Sequence, residues 1–167
     1  LKNNLTLTGI FSLAKTDMTK PSDSFINSAS NVKSSNISLI ATQKNIMGDD
    51  SLQFSVSQPN RVNNGEMSIK LSNLAESDGS ISYRNKNINL KPTGRQLVYG
   101  FSYRKDYSKD TAFSVKHILI GDVNHIKSSN FANSSSIGVK YKDLKLGLSR
   151  NYLNSSIEAN LEYEFIL

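Results

Sequence analysis

The stretch Ile137-Gly138-Val139-Lys140-Tyr141-Lys142-Asp143-Leu144-Lys145-Leu146-Gly147-Leu148-Ser149 alternates apolar and polar residues on both sides of a Lys-Asp pair. Successive side chains of a strand point to opposite faces, so the pattern reads as two strands, each with one apolar face. With Lys142–Asp143 as a two-residue turn, Tyr141 faces Leu144, Val139 faces Leu146 and Ile137 faces Leu148. All six apolar residues then share one face, and Gly138, Lys140, Lys145, Gly147 and Ser149 occupy the other. A slip of one residue would scatter them across both faces, so the pattern specifies its own register.

The same period recurs along the chain. Leu5, Leu7, Gly9, Phe11 and Leu13 form one set, and Ile37, Leu39 and Ala41 another. Leu52, Phe54 and Val56 are followed by Met67, Ile69 and Leu71. Ile81 and Tyr83, then Ile88 and Leu90, change phase and read as a bulged stretch. Leu97, Tyr99, Phe101 and Tyr103 alternate cleanly, and Phe113, Val115 and Leu119 share a face that His117 interrupts. Ile157, Ala159, Leu161, Tyr163, Phe165 and Leu167 close the chain. The expectation is about ten antiparallel strands and no amphipathic helix, in an all-β, up-and-down arrangement. Thr16–Asn36 and Asn124–Ser135 read as long polar loops, whereas Lys142–Asp143 and Ser108–Asp110 read as tight turns.

Composition narrows what the apolar face can touch. The 167 residues suit one domain, expected over 1–167, and 37% are hydrophobic. No window approaches the ~20 apolar residues of a transmembrane helix. A membrane barrel keeps low average hydropathy, because one face of every strand is polar, and the mean hydropathy here is −0.40. Cysteine is absent, which removes disulfides and thiolate chemistry. The net charge of +6 is dispersed, and there is no Trp, so no nucleic-acid partner is expected.

Two readings of the faces follow. In a soluble sandwich the apolar set packs on a second sheet. In a membrane barrel it meets lipid, and Lys140, Lys145, Glu158, Glu162 and Glu164 line a wet interior. The end of the chain favours the barrel. Apolar or aromatic residues at alternate positions up to Leu167 resemble the C-terminal insertion signal of bacterial outer-membrane proteins, in which Phe is the usual last residue. Tyr83, Tyr99, Tyr103, Tyr107, Tyr141, Tyr152 and Tyr163 include several near strand ends, where a barrel carries aromatic girdles.

Two segments resemble the C-terminal translocator barrel of subtilisin-like serine protease autotransporters. The first is Phe54-Ser55-Val56-Ser57-Gln58-Pro59-Asn60-Arg61-Val62, followed by Gly65 and the strand Met67–Leu71. The second is Ile81-Ser82-Tyr83 and then Leu90-Lys91-Pro92-Thr93-Gly94-Arg95-Gln96-Leu97. Asn60, Thr93 and Gln96 stand where the family usually has an apolar residue, Ser and Glu. The resemblance covers roughly Leu52–Tyr141. It implies a bacterial outer-membrane barrel that anchors and translocates its own passenger, a secreted subtilisin-like protease. It further implies partners in membrane lipid and in the assembly machinery, which would engage the strand Ile157 to Leu167. Barrels of that family have about twelve strands, an even number as in other single-chain barrels, so a pair would precede Leu1. Other small outer-membrane barrels, porin-like or adhesive, and a soluble β-sandwich appended to a secreted enzyme are the alternatives.

No catalytic, cofactor-binding or metal-binding residue is expected in this segment. His117 interrupts an apolar strand face, and His125 opens a loop; neither has a companion at metal-ligand spacing. Ser134–Ser136 lacks a nucleophile elbow. Asp49–Asp50 reads as a solvated turn rather than a calcium loop. Pro59 and Pro92 punctuate strands, and Gly138 and Gly147 relieve crowding across a hairpin.

Overall fold

The computed structural model describes residues 4–19, 25–75, 78–128, 130–151 and 156–163. Eleven strands run in chain order: β1 Asn4–Thr16, β2 Ile26–Ala29, β3 Val32–Lys44, β4 Asp50–Asn64, β5 Glu66–Ala75, β6 Ile81–Asn89, β7 Leu97–Asp106, β8 Thr111–Gly121, β9 Ala132–Tyr141, β10 Leu144–Asn151 and β11 Ser156–Tyr163. Among the described residues the helical structure is one 3₁₀ turn, Val123–His125. The protein is therefore all-β, as alternation predicts. The strands form an eight-stranded sheet in the order β1-β3-β4-β7-β8-β9-β10-β11 and a three-stranded sheet in the order β2-β5-β6. Among the described residues neither sheet closes on itself.

By Cα proximity the chain divides into two compact units. The first comprises Leu1–Ile10, Ile37–Pro59 and Gly94–Leu167, and the second Phe11–Asn36 and Asn60–Thr93.

In the first unit β7 to β11 form an antiparallel meander, each strand paired with the next. The β9–β10 register is the one alternation specifies: Tyr141 opposite Leu144, Val139 opposite Leu146, Ile137 opposite Leu148. Lys142 takes φ 51° in the turn, the left-handed geometry that two-residue hairpins require. The connection from β4 to β7 departs from a simple meander. These two strands pair antiparallel, Phe54 opposite Phe101 and Val56 opposite Tyr99, with β5 and β6 between them in sequence. The up-and-down expectation thus holds from β7 onward and fails before it.

In the second unit β5 and β6 form a hairpin, with β2 on the other side of β5. Ser72 pairs Tyr83 and Ala75 pairs Ile81, so three steps on β5 oppose two on β6. The bulge lies between Tyr83 and Ile81, whereas the apolar phase of the sequence changes between Tyr83 and Ile88, where the pairing is regular. That regular pairing sets Tyr83, opposite Ser72, on the face of Lys70, whose ammonium stands 4.9 Å from the ring centroid.

Two expected loops are corrected. Thr16–Asn36 contains β2 and the start of β3, and β9 begins at Ala132, inside Asn124–Ser135. Both segments are rich in Ser and Asn, whose propensity for strands is low; pairing with β5 and β8 overrides it. Glu164, Phe165, Ile166, Leu167 and Tyr152 lie outside the described residues.

Burial is inverted relative to a water-soluble sheet protein. Among the described residues the buried apolar side chains are Ala112 and Ala132 alone, while Ser34, Asp50, Gln58 and Arg61 are buried polar residues. Among the described residues no large side chain is fully enclosed. In β3, β4, β9 and β10 the large apolar residues are the exposed set: Ile37, Leu39, Phe54, Val56, Ile137, Val139, Leu146 and Leu148. Ser38, Ser55, Gly138, Lys140, Lys145 and Gly147, on the opposite faces, are half-buried. β8 departs from the pattern, with Phe113 and Val115 half-buried and Ser114 and Lys116 exposed.

Candidate functional site

The structure gathers the two segments of the family resemblance. Both contribute to the second unit, where Arg61 from the first segment reaches Pro92 from the second. The Arg61 guanidinium donates from Nη2 to the Pro92 carbonyl at 3.2 Å and from Nη1 to Asn63 Oδ1 at 3.4 Å. Asn63 Nδ2 in turn donates to Ser35 Oγ at 2.7 Å. Arg61 is 7% exposed, so its charge is held among hydrogen-bond acceptors rather than in water. The acceptor is a backbone carbonyl, which any residue at position 92 would offer. Gly65 packs close by: a Cβ there would stand 3.2 Å from Val32 Cγ2 and 3.5 Å from Leu90 Cδ1.

In the first unit Gly94-Arg95-Gln96 are strapped to the loop that follows β8. Gly94 N–H donates to the His125 carbonyl at 2.7 Å, Arg95 N–H to Asp122 Oδ2 at 3.0 Å, and Gln96 N–H to His125 Nδ1 at 3.0 Å. Asn124 N–H returns to Gln96 Oε1 at 2.8 Å, and Ser128 N–H reaches Asp122 Oδ1 at 2.9 Å. Asp122, Asn124 and His125 hold φ of 48°, 56° and 58°. Asp, Asn and His are the non-glycine types that best tolerate that region. A Cβ on Gly94 would lie 2.6 Å from Lys127 N and 2.7 Å from Ile126 C, so only glycine lets the two loop segments approach this closely. The N–H donors of Ser128 and Arg95 hold the Asp122 carboxyl below its ordinary 3.8.

The structure places each residue that the sequence raised as a candidate. His117 Nδ1 meets Ser135 Oγ at 2.8 Å, so His117 is engaged within the sheet. His125 is engaged in the strap. Ser134, Ser135 and Ser136 lie along β9, not in a nucleophile elbow. Asp50 is buried and organises the β3–β4 turn: Oδ1 accepts Ile46 N–H at 2.7 Å, and Oδ2 accepts Met47 N–H at 3.1 Å and the Tyr103 hydroxyl at 3.2 Å. Asp49 lends its carbonyl to Asp106 N–H at 2.8 Å. The solvated turn expected there is instead a capped one. Among the described residues no group of His, Asp or Glu is arranged to hold a metal ion.

The two faces of the β7–β11 meander are the largest chemical feature of the unit. On one face Phe113, Val139, Leu146 and Leu161 form one row across the strands, and Val115, Ile137, Leu148 and Ala159 the next. Phe54 and Phe101 stack at 5.4 Å between centroids on the β4–β7 part of that face. A groove of about 400 Å³ follows these rows, floored by Ile137, Val139, Leu146, Leu148, Ala159 and Leu161. The other face carries Lys145 and Glu162 in an ion pair of 3.0 Å, with Lys140 opposite Lys145. Both partners of the pair remain open to water, so its contribution is under about 1 kcal/mol. Gly138 lies opposite Ser114 of β8, whose Oγ would stand 2.9 Å from a Cβ there, while a Cβ on Gly147 would meet nothing nearer than 4.0 Å; the crowding relieved is with β8 rather than across the β9–β10 hairpin.

Sequence reading missed the Arg61–Pro92 bond, the Asp122 strap and the position of Arg150. The last was legible, since Arg150 continues the alternating series Leu144, Leu146, Leu148 onto the apolar face. Comparison with protein-family models, with curated proteins and with solved structures returns no match.

Proposed function

We propose that this chain is an outer-membrane β-barrel segment that anchors and translocates the passenger of an autotransporter, a secreted subtilisin-like protease. The observation that carries the membrane reading is the inverted burial: large apolar side chains outside, polar side chains covered, and two alanines as the whole buried apolar set of the described residues. A water-soluble chain of this size would bury most of its apolar surface. In lipid the same side chains need no protein partner, and closure of the sheet satisfies every backbone group. Strands β7, β8 and β9 have 10, 11 and 10 residues, near the ~9–11 that a tilted strand needs to cross a bilayer. Between the described ends, β1 and β11 present the edges that closure would join.

The translocator reading rests on the sequence resemblance, and the Arg61–Pro92 bond supports it by giving the two motif segments a common physical purpose. The polar face, with Lys140, Lys145, Glu158 and Glu162, is suited to accommodate an extended passenger linker. The chain itself performs no hydrolysis in this reading. The segment Ile157 to Leu167 is the contact for the assembly machinery, and the bacterial outer membrane is the location.

The test is fractionation and refolding. The chain should partition with outer membranes and refold in detergent micelles to a species whose electrophoretic mobility changes on heating. Recovery of a folded, monodisperse monomer from buffer without detergent would refute the membrane reading. Purified chain should also show no peptidase or esterase turnover; activity surviving repurification and lost in a His117→Gln or His125→Gln variant would refute that part.

A further inference from the structure

One part of the apolar face is not apolar. The registers of β8, β9 and β10 set His117 opposite Ser135 and Ser135 opposite Arg150, three polar residues in one row on the face of Val139 and Leu146. Directly paired residues place their Cβ atoms about 4.5–5.5 Å apart, so the heads of the three side chains converge on one small region. Ser135 Oγ stands 2.8 Å from His117 Nδ1. In the tautomer in which the hydroxyl donates to Nδ1, the imidazole carries its proton on Nε2 as a further donor. Arg150 is exposed and lies one residue from the end of β10.

Of the two adjoining rows, one sets Leu119 opposite Asn133 and the other is apolar. Next to His117, Ser135 and Arg150 come Val115, Ile137 and Leu148, and these lead into the groove of about 400 Å³ over β9 to β11. Polar row and groove are thus continuous, a head site followed by a tail site. The charge is also sorted. The described residues of this face on β7 to β11 include no Asp or Glu, and carry Lys105, His117 and Arg150. The opposite face of the same strands holds Arg104, Asp106, Lys116, Lys140, Lys145, Glu158 and Glu162. Asp50 of β4, opposite Lys105, lies at the far end of the same face; on β8 to β11, around Arg150, the described residues of the face include no acid.

We propose that Arg150 and His117, with Ser135 orienting the imidazole, form a headgroup site for an anionic phospholipid whose acyl chain lies in the groove of Ile137, Val139, Leu146, Leu148, Ala159 and Leu161. The inference rests on the reading of this face as lipid-facing and adds a preference among lipids. The guanidinium fork supplies paired donors matched to two phosphate oxygens, and the imidazole N–H supplies a third. Arg150, one residue from the end of β10, stands at headgroup depth while the groove runs toward the hydrocarbon.

The chain contains no Trp, so Ile137→Trp provides a single fluorescent reporter in the groove. The full chain carrying it is refolded into phosphatidylcholine vesicles containing either brominated phosphatidylglycerol or brominated phosphatidylcholine as a minor component. Quenching should show phosphatidylglycerol preferred about fivefold at the reporter, the effect of one basic side chain at a membrane surface. Adding Arg150→Gln should bring the preference to unity, Arg150→Lys should retain part of it, and Lys145→Gln on the other face should leave it unchanged. Far-UV circular dichroism verifies folding, and His117→Gln, which keeps the positive charge at position 150, should lower the preference without abolishing it. Equal quenching by the two lipids in the reporter protein, or a preference that survives both Arg150→Gln and His117→Gln, overturns the headgroup site and leaves the lipid-facing reading standing. No quenching by either lipid overturns both.

Discussion

Val139→Arg places a guanidinium at the centre of the apolar face. Val139 is flanked across the strands by Phe113 and Leu146, and Leu146 by Leu161, so the new charge meets hydrocarbon side chains on either side. Along β9 it lies two residues from Tyr141 and four from Ser135, or roughly 7 and 14 Å at ~3.4 Å per residue. It is therefore well inside the band between the Tyr141 end and the polar row. An arginine on the lipid face of a barrel costs about 2–4 kcal/mol at the bilayer midplane and up to about 1 kcal/mol near an interface. At this depth about 2–3 kcal/mol is expected, and Leu146→Arg, directly opposite, should match it. If the face met water instead, a side chain already 44% exposed could change with an effect within about 0.5 kcal/mol. Equilibrium urea unfolding of protein refolded into phospholipid vesicles separates the two outcomes. Lys140→Gln, on the opposite face, serves as the control and should cost less than about 1 kcal/mol. A loss under about 0.5 kcal/mol for both Val139→Arg and Leu146→Arg would refute the lipid-facing argument.

Gly94→Ala should cost about 1–3 kcal/mol by overpacking against the backbone of Ile126 and Lys127, whereas Gly147→Ala, whose added Cβ meets nothing nearer than 4.0 Å, should cost little; urea unfolding compares them. Asp122 has a carboxyl held below its ordinary 3.8, so it stabilises the strap above that value and the contribution is lost as pH falls through the lower, folded value. Amide exchange at Ser128 and Arg95, corrected for the intrinsic rate, should accelerate on acidification over that range, and unchanged protection would contradict the assignment. Arg61→Lys should lose most of what Arg61→Ala loses, about 1.5–3 kcal/mol, because one ammonium cannot reproduce the fork that reaches Pro92 and Asn63; a lysine variant as stable as the parent would show that charge alone suffices.

Much of the first unit was readable from alternation. The β9–β10 hairpin is fully specified, since a two-residue turn and a period of two leave a single register that keeps Ile137, Val139, Tyr141, Leu144, Leu146 and Leu148 together. The division of β8 by His117 was equally visible, but its meaning was not, because Ser135 and Arg150 come from other strands and join it only through the pairing. The segment 16–36 was misread as loop because Ser and Asn dominate it; a strand of such residues forms when a neighbour supplies the hydrogen bonds, and that neighbour, β5, is distant in sequence.

The sequence by itself determined the strand period, the tight turns and the sorting of residues into two faces, all of which depend on neighbours in the chain. Tertiary structure alone decided that β4 pairs with β7 across an intervening hairpin, that Arg61 meets Pro92, and that Asp122 and His125 capture three successive N–H groups. It also decided which face is exposed. Alternation is indifferent to that choice, because apolar and polar sets exchange roles without changing the pattern; only the burial of one face and not the other distinguishes a sheet built around a core from one turned outward to lipid.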